Sequence, residues 1–446
     1  MTPRSISATA LAPRRLPLFT GIFALGLMLA CSPDTGESGA PAGGAAAAAP
    51  ATQLTGLHRQ LNELQSGRRG RVNIVQIGDS HTSNDHFSGR LRELFQRQFG
   101  DAGRGLMPPG YPFPYWRPYQ VKVQQSGAWQ VLSSNRVGAE GVFGLSGFVT
   151  RGTKSTDSMS LVADNANASD GGSFDSAEVH YFKRPGGGAI QVYVDGRFHS
   201  EINTSGGAYL LDRATINAPN ARSLELRPRG NGPVDIADWA VYRRQRGVTL
   251  AALGFGGAQI NILGRWDWKI TAYELRHLDP GLVVLAFGTN EGFAAKERLG
   301  DYGREFGSYV DLIRQAVPNA SVVIVGPPDA NRFPSFCGRG AGASCAPLRG
   351  AEIENYTAML NGRDRKLCRW HAPAGIAHVR EAQRQAARQR NLYFFDWSRV
   401  QGGECGADRF ARDGLGHADH VHMREAGYHL TADRLFTELM AGYRRR

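Results

Sequence analysis

Only five cysteines occur among 446 residues, and no Cys-x-x-Cys spacing joins any two of them. That argues against a cysteine-ligated metal site. Zinc-finger spacing and basic-region heptads are absent as well, and the arginines are scattered rather than striped. Nucleic acid is therefore a poor partner despite a formal charge of +12. The apolar run Leu16–Ala30 falls short of the roughly 20 residues a membrane-spanning helix needs. Charged residues make up only 21% of the chain and hydrophobic ones 41%, a balance that excludes wholesale disorder. The length suits two modest domains, or one domain carrying a large insertion. The positive charge fits either a plain basic surface or attraction to an anionic polymer or envelope surface.

Arg4, Arg14 and Arg15 precede the Leu16–Ala30 run, a positive n-region followed by an h-region of signal-peptide length. The run ends Met28-Leu29-Ala30-Cys31. This resembles a bacterial lipoprotein signal with Cys31 as the lipidated residue, although Met28 stands where Leu is usual. By the same resemblance, Ser32 rather than Asp after the cysteine implies the outer membrane. The expected location is periplasmic and lipid-anchored. Residues 32–54, rich in Ala, Gly and Pro, then read as a flexible tether. With Cys31 set aside, Cys337, Cys345, Cys368 and Cys405 remain, and an even count in an exported protein implies two disulfides. Pairing 337 with 345 and 368 with 405 is simplest, but three pairings are open.

Periodicity divides the rest. A short helix over 56–66, a buried strand over 72–77 and a helix through Phe87, Leu91, Leu94 and Phe95 form an α/β unit, the first segment of a catalytic domain over 55–114. From about 115 to 246 the texture changes to short alternating segments between Gly-rich turns, such as Ala189–Val194 and Ser223–Leu226. An inserted antiparallel β-sandwich is expected there. Over 247–446 the α/β rhythm returns as the second catalytic segment: strands over 282–287, 321–325 and 392–395, helices over 301–316, 375–390 and 424–441. The expected fold class is α/β, a doubly wound parallel sheet interrupted by a β domain.

Four short blocks fall at the ends of these elements. Gly78-Asp79-Ser80-His81-Thr82 follows the first strand, where open α/β sheets place their ligands. Gly254-Phe255-Gly256-Gly257-Ala258-Gln259 sits at a strand-to-helix turn, where a glycine N–H can approach a ligand closely. Gly288-Thr289-Asn290-Glu291 offers an amide donor. Asp419-His420-Val421-His422 precedes the last helix, with a spacing that lets the Asp hold one ring nitrogen while the other faces a Ser. Each block alone has a plain reading as a turn or a helix entry. No Gly-x-Ser-x-Gly occurs, so the nucleophile elbow of α/β-hydrolases is not supported.

Together, and in this order, the blocks resemble the SGNH-hydrolase family. The continuation Asp85-His86-Phe87 and Phe99-Gly100-Asp101-Ala102-Gly103-Arg104-Gly105-Leu106 sharpens the resemblance to its bacterial O-acetylpeptidoglycan esterases, in which a carbohydrate-binding-like β-module interrupts the catalytic domain. The cysteine-bearing loop 331–371 departs from that pattern. The resemblance implies Ser80 as nucleophile and His422 with Asp419 as its base pair. It implies an oxyanion hole from the Ser80 and Gly257 N–H groups and the Asn290 amide, with Gly256 the neighbouring alternative. No metal or organic cofactor is implied. The implied partner is an O-acetylated polysaccharide, peptidoglycan first. Acetyl transfer onto such a polymer by the same triad, or mere carbohydrate binding on a decayed scaffold, are the other readings. Tyr111, Tyr115, Trp116, Tyr119 and Trp129 are candidates to stack on sugar rings or, more plainly, core aromatics.

Overall fold

The computed structural model describes residues 51–136, 138–164, 172–338 and 342–444. Cys31, the signal segment and the tether up to residue 50 lie outside the described residues. Leu54, assigned above to the tether, is fully buried. It stands at the start of helix α1 (Thr55–Gln65), whose Leu57, Leu61 and Leu64 share its apolar face. The folded part therefore begins before residue 55.

Five parallel strands form the central sheet: β1 (Arg71–Gly78), β2 (Gly247–Gly254), β3 (Pro280–Ala286), β4 (Ser321–Val325) and β5 (Tyr393–Phe395). Their order is β2-β1-β3-β4-β5, the doubly wound order with a switch point beside β1. Alternate residues feed opposite layers. Val75, Ile77, Val283, Leu285 and Ile324 join one core; Val72, Ile74, Leu282, Val284 and Val323 join the other. Both faces are covered, so β3 and β4 read as nearly continuous apolar runs rather than alternating ones. The covering helices include α2 (His86–Phe99), α3 (Trp268–Leu278), α4 (Tyr302–Ala316), α5 (Ala374–Gln389) and α6 (Glu425–Met440). Asp267 caps α3 by accepting from the N–H groups of Lys269 and Ile270.

Between β1 and β2 in the chain lie two antiparallel sheets. One runs Val121–Ser126, Ser158–Ala163, Ser223–Pro228, Ala189–Val194 and Arg197–Asn203 in spatial order; the other runs Leu210–Ala221, Phe174–Lys183, Val234–Tyr242, Phe148–Gly152 and Gln130–Ser133. Leu161, Val192, Leu224 and Leu226 of the first sheet meet Val179, Ile236, Trp239 and Val241 of the second in one core. The antiparallel region starts earlier than the expected 115, because Gly105–Met107 pairs with Trp239–Val241. That strand is only three residues long, too short to show a period. The second sheet is covered on its far face too: Phe182, Ala237, Ala240 and Tyr242 enter the core that contains Leu275, Leu278 and Val283. The β region is thus built into the α/β layers through a shared apolar core.

The cysteines pair 337 with 368 and 345 with 405. The simplest pairing is not the one adopted: the 331–371 loop folds back on itself through the Arg332–His371 and Cys345–Trp370 bridges, so the arm carrying Cys337 meets the arm carrying Cys368.

Candidate active site

Gly78 closes β1 with no room for a side chain: a Cβ there would meet Thr82 Oγ1 at 2.4 Å and the Ala286 carbonyl at 2.6 Å. Asp79 then caps a one-turn helix, Ser80–Ser83, by accepting from the His81 N–H at 3.0 Å. Ser80 is the first residue of that helix, at the carboxyl edge of the sheet, and is partly exposed. Its Oγ lies 2.9 Å from His422 Nε2. On the other side of the ring, His422 Nδ1 lies 2.7 Å from Asp419 Oδ2. Asp419 is fixed in turn, since its Oδ1 accepts the N–H groups of Val421 and His422 at 2.9 and 3.0 Å. The three side chains sit 342 and 3 positions apart in sequence yet form one continuous relay.

The electrostatics suit a base. The hydrogen bond that His422 donates to Asp419 raises His422 above its ordinary value, against the opposing effect of burial. Burial alone would raise Asp419, but its bonds to His422 and the Val421 and His422 amides hold it well below the carboxylate range. His81, packed 5.3 Å from His422, is pushed down to about 3 by burial and by His422 itself. It therefore stays neutral and adds no competing charge; its Nδ1 pairs with the Tyr428 hydroxyl at 2.9 Å. Asp79 is wholly buried, which pushes it up to about 7.

The other two blocks converge on the same edge. Gly257 has φ +73° and open space around it, a conformation that side-chain-bearing residues rarely adopt. Gly256 is different: a Cβ there would meet the Tyr115 hydroxyl at 2.7 Å. Asn290 Nδ2 donates to the Ala258 carbonyl at 2.8 Å, and Glu291 Oε1 accepts the Ile260 N–H at 2.8 Å. One short helix, Thr289–Gly292, thereby holds the 258–260 turn at both ends. From the inserted region, Asn135 Nδ2 donates to the Gly256 carbonyl at 2.8 Å.

His420, the neighbouring histidine, takes φ +56° and stacks on Trp370 at 3.7 Å, away from Ser80. Sequence reasoning did not anticipate this support, nor the Asn331 N–H that donates to the His420 carbonyl at 2.8 Å. Both come from the cysteine-bearing loop, and the only hint was the even cysteine count. Nor did it anticipate the role of Glu291. Among the aromatic candidates, Trp116 is core, whereas Tyr115 is 60% exposed beside Gly256.

Residues 229–430 match the model of the GDSL-like lipase/acylhydrolase family. That span holds Gly257, Asn290, Asp419 and His422 but not Ser80, which the inserted region separates from the rest. Among solved structures, a peptidoglycan O-acetylesterase superposes with a TM-score of 0.68 at 25% identity, covering 86% of this chain and 95% of that one. A family two carbohydrate esterase from Clostridium thermocellum aligns with a TM-score of only 0.28 at 13% identity, over 70% of this chain and 98% of that one. No curated protein matches the chain.

Proposed function

The chain is an SGNH hydrolase with a GDSL-like acylhydrolase domain, and we propose that it removes O-acetyl groups from peptidoglycan or a related envelope polysaccharide. One observation carries the choice of substrate. The likeness to the peptidoglycan O-acetylesterase covers 86% of the chain, a share that cannot be reached without the β region.

The proposed steps rest on the Ser80–His422–Asp419 contacts. His422 Nε2 takes the Ser80 proton as Oγ attacks the acetyl carbonyl carbon. His422 becomes doubly protonated, and the Asp419 carboxylate at 2.7 Å stabilises that cation. The Ser80 and Gly257 N–H groups and the Asn290 amide receive the negative charge that develops on the carbonyl oxygen. The Asn290 amide keeps one N–H on the Ala258 carbonyl, which fixes its plane and leaves its second N–H for the oxyanion. As the tetrahedral species collapses, the C–O bond to the sugar breaks and His422 returns the proton to the leaving hydroxyl. Water, deprotonated by the same nitrogen, then attacks acetyl-Ser80 and releases acetate.

The reading includes an anchor at Cys31, holding the enzyme at the periplasmic face of the outer membrane beside an anionic wall that its net positive charge favours. Support for it is the n-region, the apolar run and the residues flanking Cys31. Cys31→Ser is expected to move the protein from the membrane fraction to the soluble one; membrane retention of the variant contradicts the anchor. Tyr115, exposed beside Gly256, is placed to pack against the sugar that bears the ester. Tyr115→Ala should raise KM for the polysaccharide several-fold while changing turnover of p-nitrophenyl acetate little; equal effects on both contradict that placement.

A further inference from the structure

Away from Ser80, the seam between the second antiparallel sheet and helix α3 gathers five ionisable side chains. Glu178 and His180 come from Phe174–Lys183, Asp238 from Val234–Tyr242, and Glu274 and His277 from α3. His180, Asp238 and Glu274 are 3%, 0% and 1% exposed, so this is interior rather than a solvated acidic face. Their ligand-type atoms all lie within 4.8 Å of one another.

The backbone aims them there. Asp238 lies directly across the ladder from His180, and the register shifts between Ile236 and Asp238. Ile236 and Trp239 point into the sandwich core, while Ala237 points into the core shared with the α/β layers. The bulge therefore turns two successive residues, Ala237 and Asp238, toward α3, as bulges do where a side chain must be re-aimed.

These groups are close but not satisfied. His180 Nδ1 stands 2.7 Å from Asp238 Oδ1 and 4.0 Å from Glu274 Oε1. Yet His180 Nδ1, both Asp238 oxygens and Glu274 Oε1 are buried without a hydrogen bond of acceptable geometry. Buried polar atoms without partners call for an ion or water, and carboxylates sharing a dry seam call for positive charge. On the far side of the imidazole, Nε2 is also buried without a hydrogen bond. Glu178 Oε2 stands 3.7 Å from it, beyond hydrogen-bond distance, and 2.9 Å from His277 Nε2. Glu274 is anchored by its other oxygen, which accepts the Leu145 N–H at 2.6 Å.

We propose that His180 Nδ1, Asp238 and Glu274 bind a divalent transition-metal cation that fastens the inserted β region to helix α3. One imidazole nitrogen and two carboxylates suit a Zn²⁺- or Mn²⁺-type ion. Ligands around such an ion stand about 3.3 Å apart for bonds of about 2.0–2.1 Å, which small side-chain rotations reach from the observed spacing. The ion binds the folded state only, so it stabilises the fold and takes no part in ester hydrolysis.

The test uses the purified protein, stripped with chelator and then given Zn²⁺ or Mn²⁺. One equivalent should remain per chain after gel filtration, and Tm should rise by roughly 3 °C or more. Asp238→Asn and Glu274→Gln should each lose the equivalent and the rise. Equal retention by the wild type and both variants overturns the site, as does no retention of either ion with an unchanged Tm. The second outcome would make the cluster a proton-sharing network. Should the variants not fold, crystals of the wild type grown with the metal decide. An anomalous peak among the three side chains supports the site, and its absence overturns it.

Discussion

Ser80 offers the hydroxyl and His422 the only base within 2.9 Å of it among the described residues, so the two substitutions most informative about chemistry are small. Ser80→Ala should lower turnover of p-nitrophenyl acetate by more than about 10³-fold while leaving the circular dichroism spectrum unchanged. Asn290→Ala should cost about 10²–10³-fold in kcat, the usual loss for one oxyanion donor. A pH profile tests the base. His422 must be neutral to accept the proton, and Asp419 raises it above 6.5. Activity is therefore expected to fall as pH drops through a value above that of an ordinary histidine. In Asp419→Asn this limb should move to lower pH, with a much lower plateau; a limb that stays in place contradicts the pairing. At this scale the sequence was informative because Ser80, Asn290, Asp419 and His422 each sit in a short block at an element end. Glu291 was not legible as a support. Its role depends on the Ile260 N–H, 31 positions away, and no local pattern announces it.

Elements explain what holds those side chains still. The loop 331–371 looked foreign to the rest of the sequence, yet it buttresses the His422 loop through Asn331 and through Trp370 stacked on His420. Cys345–Cys405 ties that loop across 60 positions. Replacing both cysteines with serine should cost about 2–5 kcal/mol in urea unfolding. It should also lower kcat, since the support for the His422 loop loosens. Unchanged stability and rate would contradict the buttress. The parallel strands were legible because burial on both faces makes Leu282–Ala286 and Ser321–Val325 continuous apolar runs. Sandwich strands such as Ser223–Pro228 were legible for the opposite reason, since they bury every second residue. Gly105–Met107 offered neither pattern, and its place was set by pairing with a strand over a hundred positions later.

Across the whole molecule, Asp85 joins regions that the chain separates. It is buried at φ +57° and accepts from Ser88, Arg92 and Arg104 side chains and from the Tyr119 N–H. Burial would raise its carboxyl, but Arg104 and Arg92 outweigh that and hold it at about 2. The sign follows. A depressed carboxylate stabilises the fold fully above its ordinary value of 3.8, and that stabilisation fades as pH falls toward about 2. Asp85→Asn should cost about 3–5 kcal/mol at neutral pH, because two buried arginines lose their counter-charge. In acid, below both values, that penalty should shrink. A penalty that is equal at pH 7 and in acid would contradict this role. The blocks that hold Asp85 and Arg104 stand out in the sequence, but nothing in them says that the two side chains meet. Long-range convergence, from 85 to 119, is what a single sequence hides.

The most direct test is acetate release from purified O-acetylated peptidoglycan by the wild-type protein and by Ser80→Ala. The account predicts release by the first and none above background by the second. Equal release by both would contradict Ser80 as nucleophile. No release by either, with Ser80-dependent turnover of a small acetyl ester intact, would contradict the wall polymer as substrate.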